Sequence, residues 1–379
     1  MPSTNYPRMA SEKSLIIVAL TVAGALVMML MVSVLPGRAA AVAPVTPPVP
    51  VPTPIVPVPA PRTLPAAMDV AQQYEGQSIC DPVAKPGVLK LQALLRATYG
   101  PATFYSTRAC AADPTSEHTE GRALDWMVNS RVPAEKAKAE ALIAWLLAPD
   151  ASGVPGANAR RMGIMYVIWN NLFWRAYDPI GWSKFGGCSA KARASEVYDT
   201  TCHRNHIHFS MTWDGAAALT SYWDGTAQTQ GYCPSSFRGG KVPRVPAPLV
   251  AVPLPEATIF DTRTGRGNSR RICRMEEDRW AGDGHKLDVK VAGKGRVPGV
   301  GAYWATLRVT AVDPNAPMAI FAWPTGKNRP GKPTLTTTMN SAASVIVDLR
   351  IGAGGYVSIA TNTGDTNVAV SVLGYRAVS

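Results

Sequence analysis

The sequence predicts an α+β core, a small antiparallel sheet with flanking helices, followed by an all-β sandwich. Three observations carry this reading. Val88, Leu91, Leu94 and Leu95 recur at helical spacing early in the chain. Short apolar runs punctuated by turn residues follow, each too short for a helix. After a proline-rich stretch at 243–255 the helical pattern stops, and Val, Thr, Ala and Gly dominate.

The first helix is expected after Pro86, with Gly100 as its stop. A second is expected over 133–147 (PAEKAKAEALIAWLL), with proline in an early turn and the apolar residues late. Strands are expected at 102–106, 123–128, 163–169 and 206–212. Helices that precede and interrupt a few strands suit a small antiparallel sheet. Beyond 257, runs such as 303–310 (YWATLRVT) and 344–349 (SVIVDL) read as strands of a sandwich.

The chain then divides into a signal peptide or signal anchor (1–38), a proline-rich linker (39–67), the α+β domain (68–239), a second proline-rich linker (240–256) and the sandwich (257–379). Arg8 and Lys13 precede an uncharged run at 15–35. At about 1.5 Å per residue that run is long enough to cross a bilayer. The alanine-rich stretch at 39–43 offers a small-residue cleavage site. Cleaved signal and uncleaved membrane anchor both remain open. In either case the rest is exported, to the extracellular space or the cell envelope. Residues 44–61 alternate Pro with small and β-branched residues, which makes an extended, semi-rigid spacer.

The formal net charge of +12 suits an anionic partner, with nucleic acid, an acidic wall polymer and a membrane surface all open on charge alone and solubility of a Pro- and Ala-rich chain as the alternative. The basic residues are scattered, with no Lys/Arg run of the kind that marks a nucleic-acid arm. Basic residues between Arg263 and Lys294, among them Arg266, Arg270, Arg271, Lys286 and Lys290, make the sandwich a candidate wall-binding module; an inert structural domain is the alternative. Six cysteines without a CxxC pair, in an exported chain, argue for disulfides over a thiolate metal site. Cys188 and Cys202 bracket one short loop, and a bridge there would brace the residues that follow. Cys80 with Cys110 and Cys233 with Cys273 are working pairs only, because connectivity does not follow from sequence.

Four of the five histidines fall into two clusters, SEHTEGRALD at 116–125 and HRNHIHFS at 203–210. His118 and Asp125, with a downstream His-x-His, supply nitrogen and oxygen donors suited to a hydrolytic zinc ion, Zn2+. On a strand, His206 and His208 project from one face, about 6.6 Å apart along the strand, while Ile207 and Phe209 face the core. Gly121 permits a tight turn. Asp125 sits on a half-buried strand with Leu124 and Trp126, so its carboxylate needs a partner, either zinc or an arginine such as Arg122. Three ligands, His118, Asp125 and His208, leave a fourth position open, which is the catalytic arrangement. His206 then serves as acid/base. His203 either orients His206 or is a surface residue. Arg108 is a candidate for binding a peptide carboxylate or a developing oxyanion, with a structural ion pair as the alternative. Ser116 reads as hydrogen-bonding support, since no nucleophile elbow surrounds it. Trp126, Trp169, Trp174 and Trp182 read as core or cleft wall.

The string Ser116-x-His118-x-x-Gly121-x-Ala123-x-Asp125 resembles the SxHxxGxAxD motif of D-alanyl-D-alanine carboxypeptidases and dipeptidases. The His-x-His resembles that of the wider group uniting these enzymes with lysostaphin-type peptidases and hedgehog signalling domains. The stretches SEHTEGRALDWMVN, RRMGIMYVIWNN and HRNHIHFSMTWDGA are similar to a family of exported actinobacterial proteins with this core, over about 80–233. The resemblance implies zinc ligation by His118, Asp125 and His208. One position departs from it: where the carboxypeptidases carry a Glu three residues before the last zinc ligand, this chain has Asn205. His206 must then act as base, which favours endopeptidase-like cleavage over strict D-Ala-D-Ala activity. The C-terminal part resembles repeats of actinobacterial surface proteins, through 260–263 (FDTR), 309–312 (VTAV) and Trp323-Pro324. The expected function is an exported zinc-dependent peptidase acting on peptidoglycan. The alternatives are a non-catalytic zinc-containing wall-binding module and a metal-free structural wall protein.

Overall fold

The computed structural model describes residues 56–111, 116–178, 181–235, 238, 240–269, 271–275 and 285–378. The signal or anchor segment and most of the first linker lie outside the described residues. Among these, no helix is long and apolar enough to cross a membrane. The end of the first spacer is laid onto the first domain. Pro59 is buried, Leu64 packs on the core, and the Arg62 guanidinium stands 4.7 Å from the Tyr222 ring centre.

The first domain is α+β. In chain order it contains α1 (Pro86–Tyr99), β1 (Phe104–Tyr105), β2 (Ala123–Trp126), α2 (Pro133–Leu147), α3 (Ala157–Met162), β3 (Ile164–Trp169), β4 (Leu172–Arg175), β5 (Ser183–Lys184), α4 (Ala190–Arg193), β6 (Ile207–Met211), α5 (Trp213–Ala216) and α6 (Ser221–Asp224). The strands form one sheet in the order β1-β2-β6-β3-β4-β5, with every pairing antiparallel. Both expected helices are present, α1 opened by Pro86 and closed at Gly100, α2 over the expected residues. Val88, Leu91 and Leu95 of α1 and Leu142 and Leu146 of α2 are fully buried and meet Leu124, Trp126, Val167, Ile207 and Phe209 from one face of the sheet. Each such aliphatic side chain contributes about 1.5–3 kcal/mol by leaving water. The four expected strands are present in shortened form. The β4–β5 pair and α3 were not anticipated, because their short segments carry no distinctive period.

The second domain is a sandwich of two four-stranded sheets. Its strands are β7 (Leu249–Asp261), β8 (Leu287–Lys290), β9 (Ala302–Val312), β10 (Met318–Pro324), β11 (Leu335–Thr337), β12 (Ala343–Arg350), β13 (Tyr356–Thr361) and β14 (Asn367–Val378). They pair in the orders β11-β10-β13-β8 and β12-β9-β14-β7. Ile320, Val357 and Ile359 from one sheet pack against Leu307, Val309 and Val370 from the other. The assignment of 240–256 to a linker needs correction. Residues 249–255 belong to β7, paired with β14. β7 is an edge strand. There, Pro253 and Pro255 can direct their missing N–H groups away from the ladder.

Buried polar contacts join the two domains. The Arg274 guanidinium donates to both carboxylate oxygens of Asp214 in α5, at 2.9 and 2.8 Å. Asn315 Nδ2 donates to the same carboxylate at 3.0 Å, and Asn315 Oδ1 accepts from the Asp365 backbone N–H at 2.7 Å. Ser78 and Thr363 share a hydrogen bond of 2.9 Å between their hydroxyls. The disulfides are Cys80–Cys110, Cys188–Cys202 and Cys233–Cys273. Three disulfides are compatible with an extracellular protein.

Arg274 and Asp214 are 6% exposed each. Replacing Arg274 with Met removes one half of a buried ion pair and leaves the other charged, which costs about 3–5 kcal/mol. Chemical denaturation of Arg274→Met beside wild type measures this. A loss below about 1 kcal/mol would contradict the account of the joint.

Candidate metal centre

The local chain path explains why the first cluster folds as it does. The Ser116 hydroxyl accepts from the His118 backbone N–H at 3.4 Å and so caps a 3-10 turn over Glu117–Glu120. Gly121 closes the turn with φ 66°, in the left-handed region. A side chain there would also collide with the chain alongside, since a Cβ would lie 1.9 Å from the Val83 carbonyl oxygen. The turn reverses the chain so that His118 stands beside β2, which carries Asp125.

The second cluster is delivered by β6. Asp125 on β2 pairs directly with His208 on β6, and His208 pairs on its other side with Ile168 on β3. Ile207 and Phe209 enter the helix-covered core, so the strand's alternation sends His208 and Ser210 to the opposite face. His206 lies one residue before the strand, and its ring reaches the same site.

The resulting geometry is compact. His208 Nδ1 lies 2.8 Å from Asp125 Oδ1, His118 Nε2 lies 3.2 Å from the same oxygen, and the two ring nitrogens are 3.3 Å apart. Four-coordinate zinc with bonds of about 2.0–2.1 Å sets its ligands roughly 3.3 Å apart. The three donor atoms therefore sit close to the corners of one face of a metal tetrahedron. His118, Asp125 and His208 are all buried, and together they form a group able to hold a metal ion. Two imidazoles and one carboxylate suit a borderline divalent metal.

The surroundings fit this use. The expected alternative partner of Asp125 is engaged elsewhere: Arg122 donates to Glu120 at 2.5 Å and to the carbonyls of Met211 and Glu75 at 2.9 Å each. His208 Nε2 meets Ser210 Oγ at 2.9 Å, which leaves Nδ1 as the ring nitrogen facing the cluster. His118 Nδ1 is buried and has no hydrogen-bond partner among the described residues. His206 Nε2 stands 3.7 Å from Asp125 Oδ1, and its Nδ1 meets Asn205 Oδ1 at 2.8 Å. An Nδ1–H donated to that amide oxygen keeps a lone pair on Nε2, toward the site. The His203 ring lies 4.6 Å from the His206 ring and on the edge of Phe185, so it is a wall of the site and not a free surface residue.

Burial acts first on these groups. It raises the Asp125 carboxyl, but hydrogen bonds from His118 and His208 outweigh it and hold the group far below the usual carboxylate range. Desolvation drives His206 down to about 4 against the pull of Asp125, and drives His203 down to about 2 with help from the neighbouring imidazoles. Both rings are therefore neutral near pH 7.

These residues line a cavity of about 550 Å³. Arg108, Thr200 and Thr201 are exposed at its rim, and Ile168, Phe173 and Phe185 give it an apolar wall. All five residues singled out for chemistry, His118, Asp125, His206, His208 and Arg108, reach this one cavity. The tryptophans do not. Sequence reasoning missed Glu117 and Tyr166, which also line it, and assigned no role to Ser210. Glu117 Oε2 accepts from the Tyr166 hydroxyl at 2.5 Å, and its other oxygen accepts from Gln77. Ser210 was legible in principle, two residues beyond His208 on the same strand face. Tyr166 needed the β3–β6 register.

Residues 80–195 match the family described as VldE, C-terminal domain. That stretch holds His118 and Asp125 and ends before the second histidine cluster, and it is well under half of the chain. No curated protein matches the chain.

Substitution of Gly121 by Ala tests the turn. The left-handed backbone alone costs a non-glycine residue more than about 1 kcal/mol, and the clash with Val83 adds to it. Thermal unfolding of Gly121→Ala should show a clear loss of stability; an unchanged melting temperature would contradict the turn geometry.

Proposed function

We propose that this chain is an exported zinc-dependent peptidase that cleaves amide bonds in peptidoglycan peptides. The observation that carries the reading is the triangle of His118 Nε2, Asp125 Oδ1 and His208 Nδ1 within a cavity large enough for a peptide segment. Zinc held by these three residues would lower the pKa of a bound water and polarise a carbonyl.

The chain's own groups supply the rest. His206, neutral and fixed through Nδ1 by Asn205, takes a proton on Nε2 from the attacking water and returns it to the departing amine. Asn205 thus orients the base, where the carboxypeptidases that the sequence resembles place a base of their own. Arg108 at the rim neutralises a substrate carboxylate or the oxygen on which negative charge develops. Phe173 and Phe185 shield the reacting groups from bulk water. The formal charge of +12 favours an anionic wall polymer as the partner.

Digestion of purified peptidoglycan, followed by mass spectrometry of the released fragments, tests the reading. Wild type should release peptides with new amino and carboxyl termini. His206→Ala should keep its zinc and lose activity by at least about 100-fold, the range general acid–base catalysis contributes. A wild type that holds zinc yet releases nothing would sink the peptidase reading and leave the zinc-containing binding module.

A further inference from the structure

We infer that Ser210, Tyr166 and Glu117 form a directed hydrogen-bond relay that positions His208 as a metal ligand through Nδ1. The inference rests on the metal-centre reading and extends it to residues outside the ligand set.

The relay follows from the donors and acceptors present. To offer Nδ1 as a lone pair, His208 must carry its proton on Nε2, and that N–H points at Ser210 Oγ, 2.9 Å away. Ser210 pairs directly with Tyr166 across the β6–β3 ladder, so the two side chains leave the sheet side by side on one face, and the relay closes with the Ser210 hydroxyl donating to the Tyr166 hydroxyl. The Tyr166 hydroxyl in turn donates to Glu117 Oε2 at 2.5 Å. In this relay each hydroxyl accepts once and donates once, and the run ends on a carboxylate that is 2% exposed. Gln77 Nε2 holds the other oxygen of that carboxylate in place. The Tyr166 ring also lies nearly parallel to the His208 ring, 22° between planes and 5.7 Å between centres, which limits rotation of the imidazole.

Metal-binding histidines generally donate their second N–H to a carboxylate, carbonyl or water, which fixes the tautomer and raises the basicity of the ligating nitrogen. Here the carboxylate acts at a distance, through two hydroxyls. Glu117, Tyr166 and Ser210 are therefore positioning residues, not ligands. The chemistry also explains why Tyr166 must remain protonated: burial, then the charge of Glu117, push its phenol well above the usual value.

The test is zinc affinity of the full chain, measured by competition with a chromogenic chelator after metal removal. Tyr166→Phe and Ser210→Ala should each weaken zinc binding by about 10–100-fold, the usual effect of losing an outer-layer partner. Because both cut the same relay, the double variant should bind no more weakly than the worse single one. Glu117→Gln, which keeps the shape and loses the charge, should weaken binding by a smaller factor. The metal-free melting temperature of each variant shows whether it is folded. Unchanged zinc affinity in folded variants, or losses that simply add in the double variant, would overturn the relay while leaving the metal centre intact. A wild type that binds no zinc would overturn the metal centre itself, and the relay with it.

Discussion

Asp125 and His208 face each other across one antiparallel ladder, and the arrangement of the site depends on that register. A slip of one residue in either strand would turn its side chain, Asp125 or His208, into the helix-covered core and bring Leu124 or Phe209 to the cavity in its place. The register is held by the residues between them. Leu124, Trp126, Ile207 and Phe209 are almost fully buried against α1 and α2, and none of them tolerates the other face. The hydrophobic pattern thus does two tasks. It closes the core, and it presents a carboxylate and an imidazole 2.8 Å apart on the opposite surface.

Buried ionic groups surround this frame, and each is paired in a way that carries the chain path. Arg122 is fully buried and ties Glu120 to the carbonyls of Glu75, Gly76 and Met211, stitching the N-terminal segment to the end of β6. The same segment supplies Gln77 to Glu117 and Ser78 to Thr363 of the sandwich. From the other side, Arg274 grips α5, which begins two residues after β6 ends. The sandwich therefore touches both flanks of the segments that build the site. Whatever it binds, it is part of the scaffold and not a tethered appendage.

Much of this was legible in the sequence for a physical reason: the period of apolar residues reports local structure. α1 and α2 follow directly from spacing and from their prolines. The alternation around His208 also placed Ile207 and Phe209 in the core. The candidate ligands His118, Asp125 and His208 came from residue type and spacing, and the structure brings those side chains together. Long-range pairing is a different kind of information. Nothing local ties Tyr166 to Ser210, Arg274 to Asp214, or β7 to β14, because each pairing is chosen by the whole fold. The prolines of β7 misled the reading because proline usually interrupts a sheet, and only the sheet order reveals an edge where it is tolerated.

The central claim is that the cluster holds a metal ion. Elemental mass spectrometry of the purified protein, wild type beside His208→Ala, measures it most directly. The account predicts about one zinc per chain in wild type and its loss in the variant, with the variant still folded. A well-folded wild type that takes up no zinc, even when zinc is supplied, would contradict it.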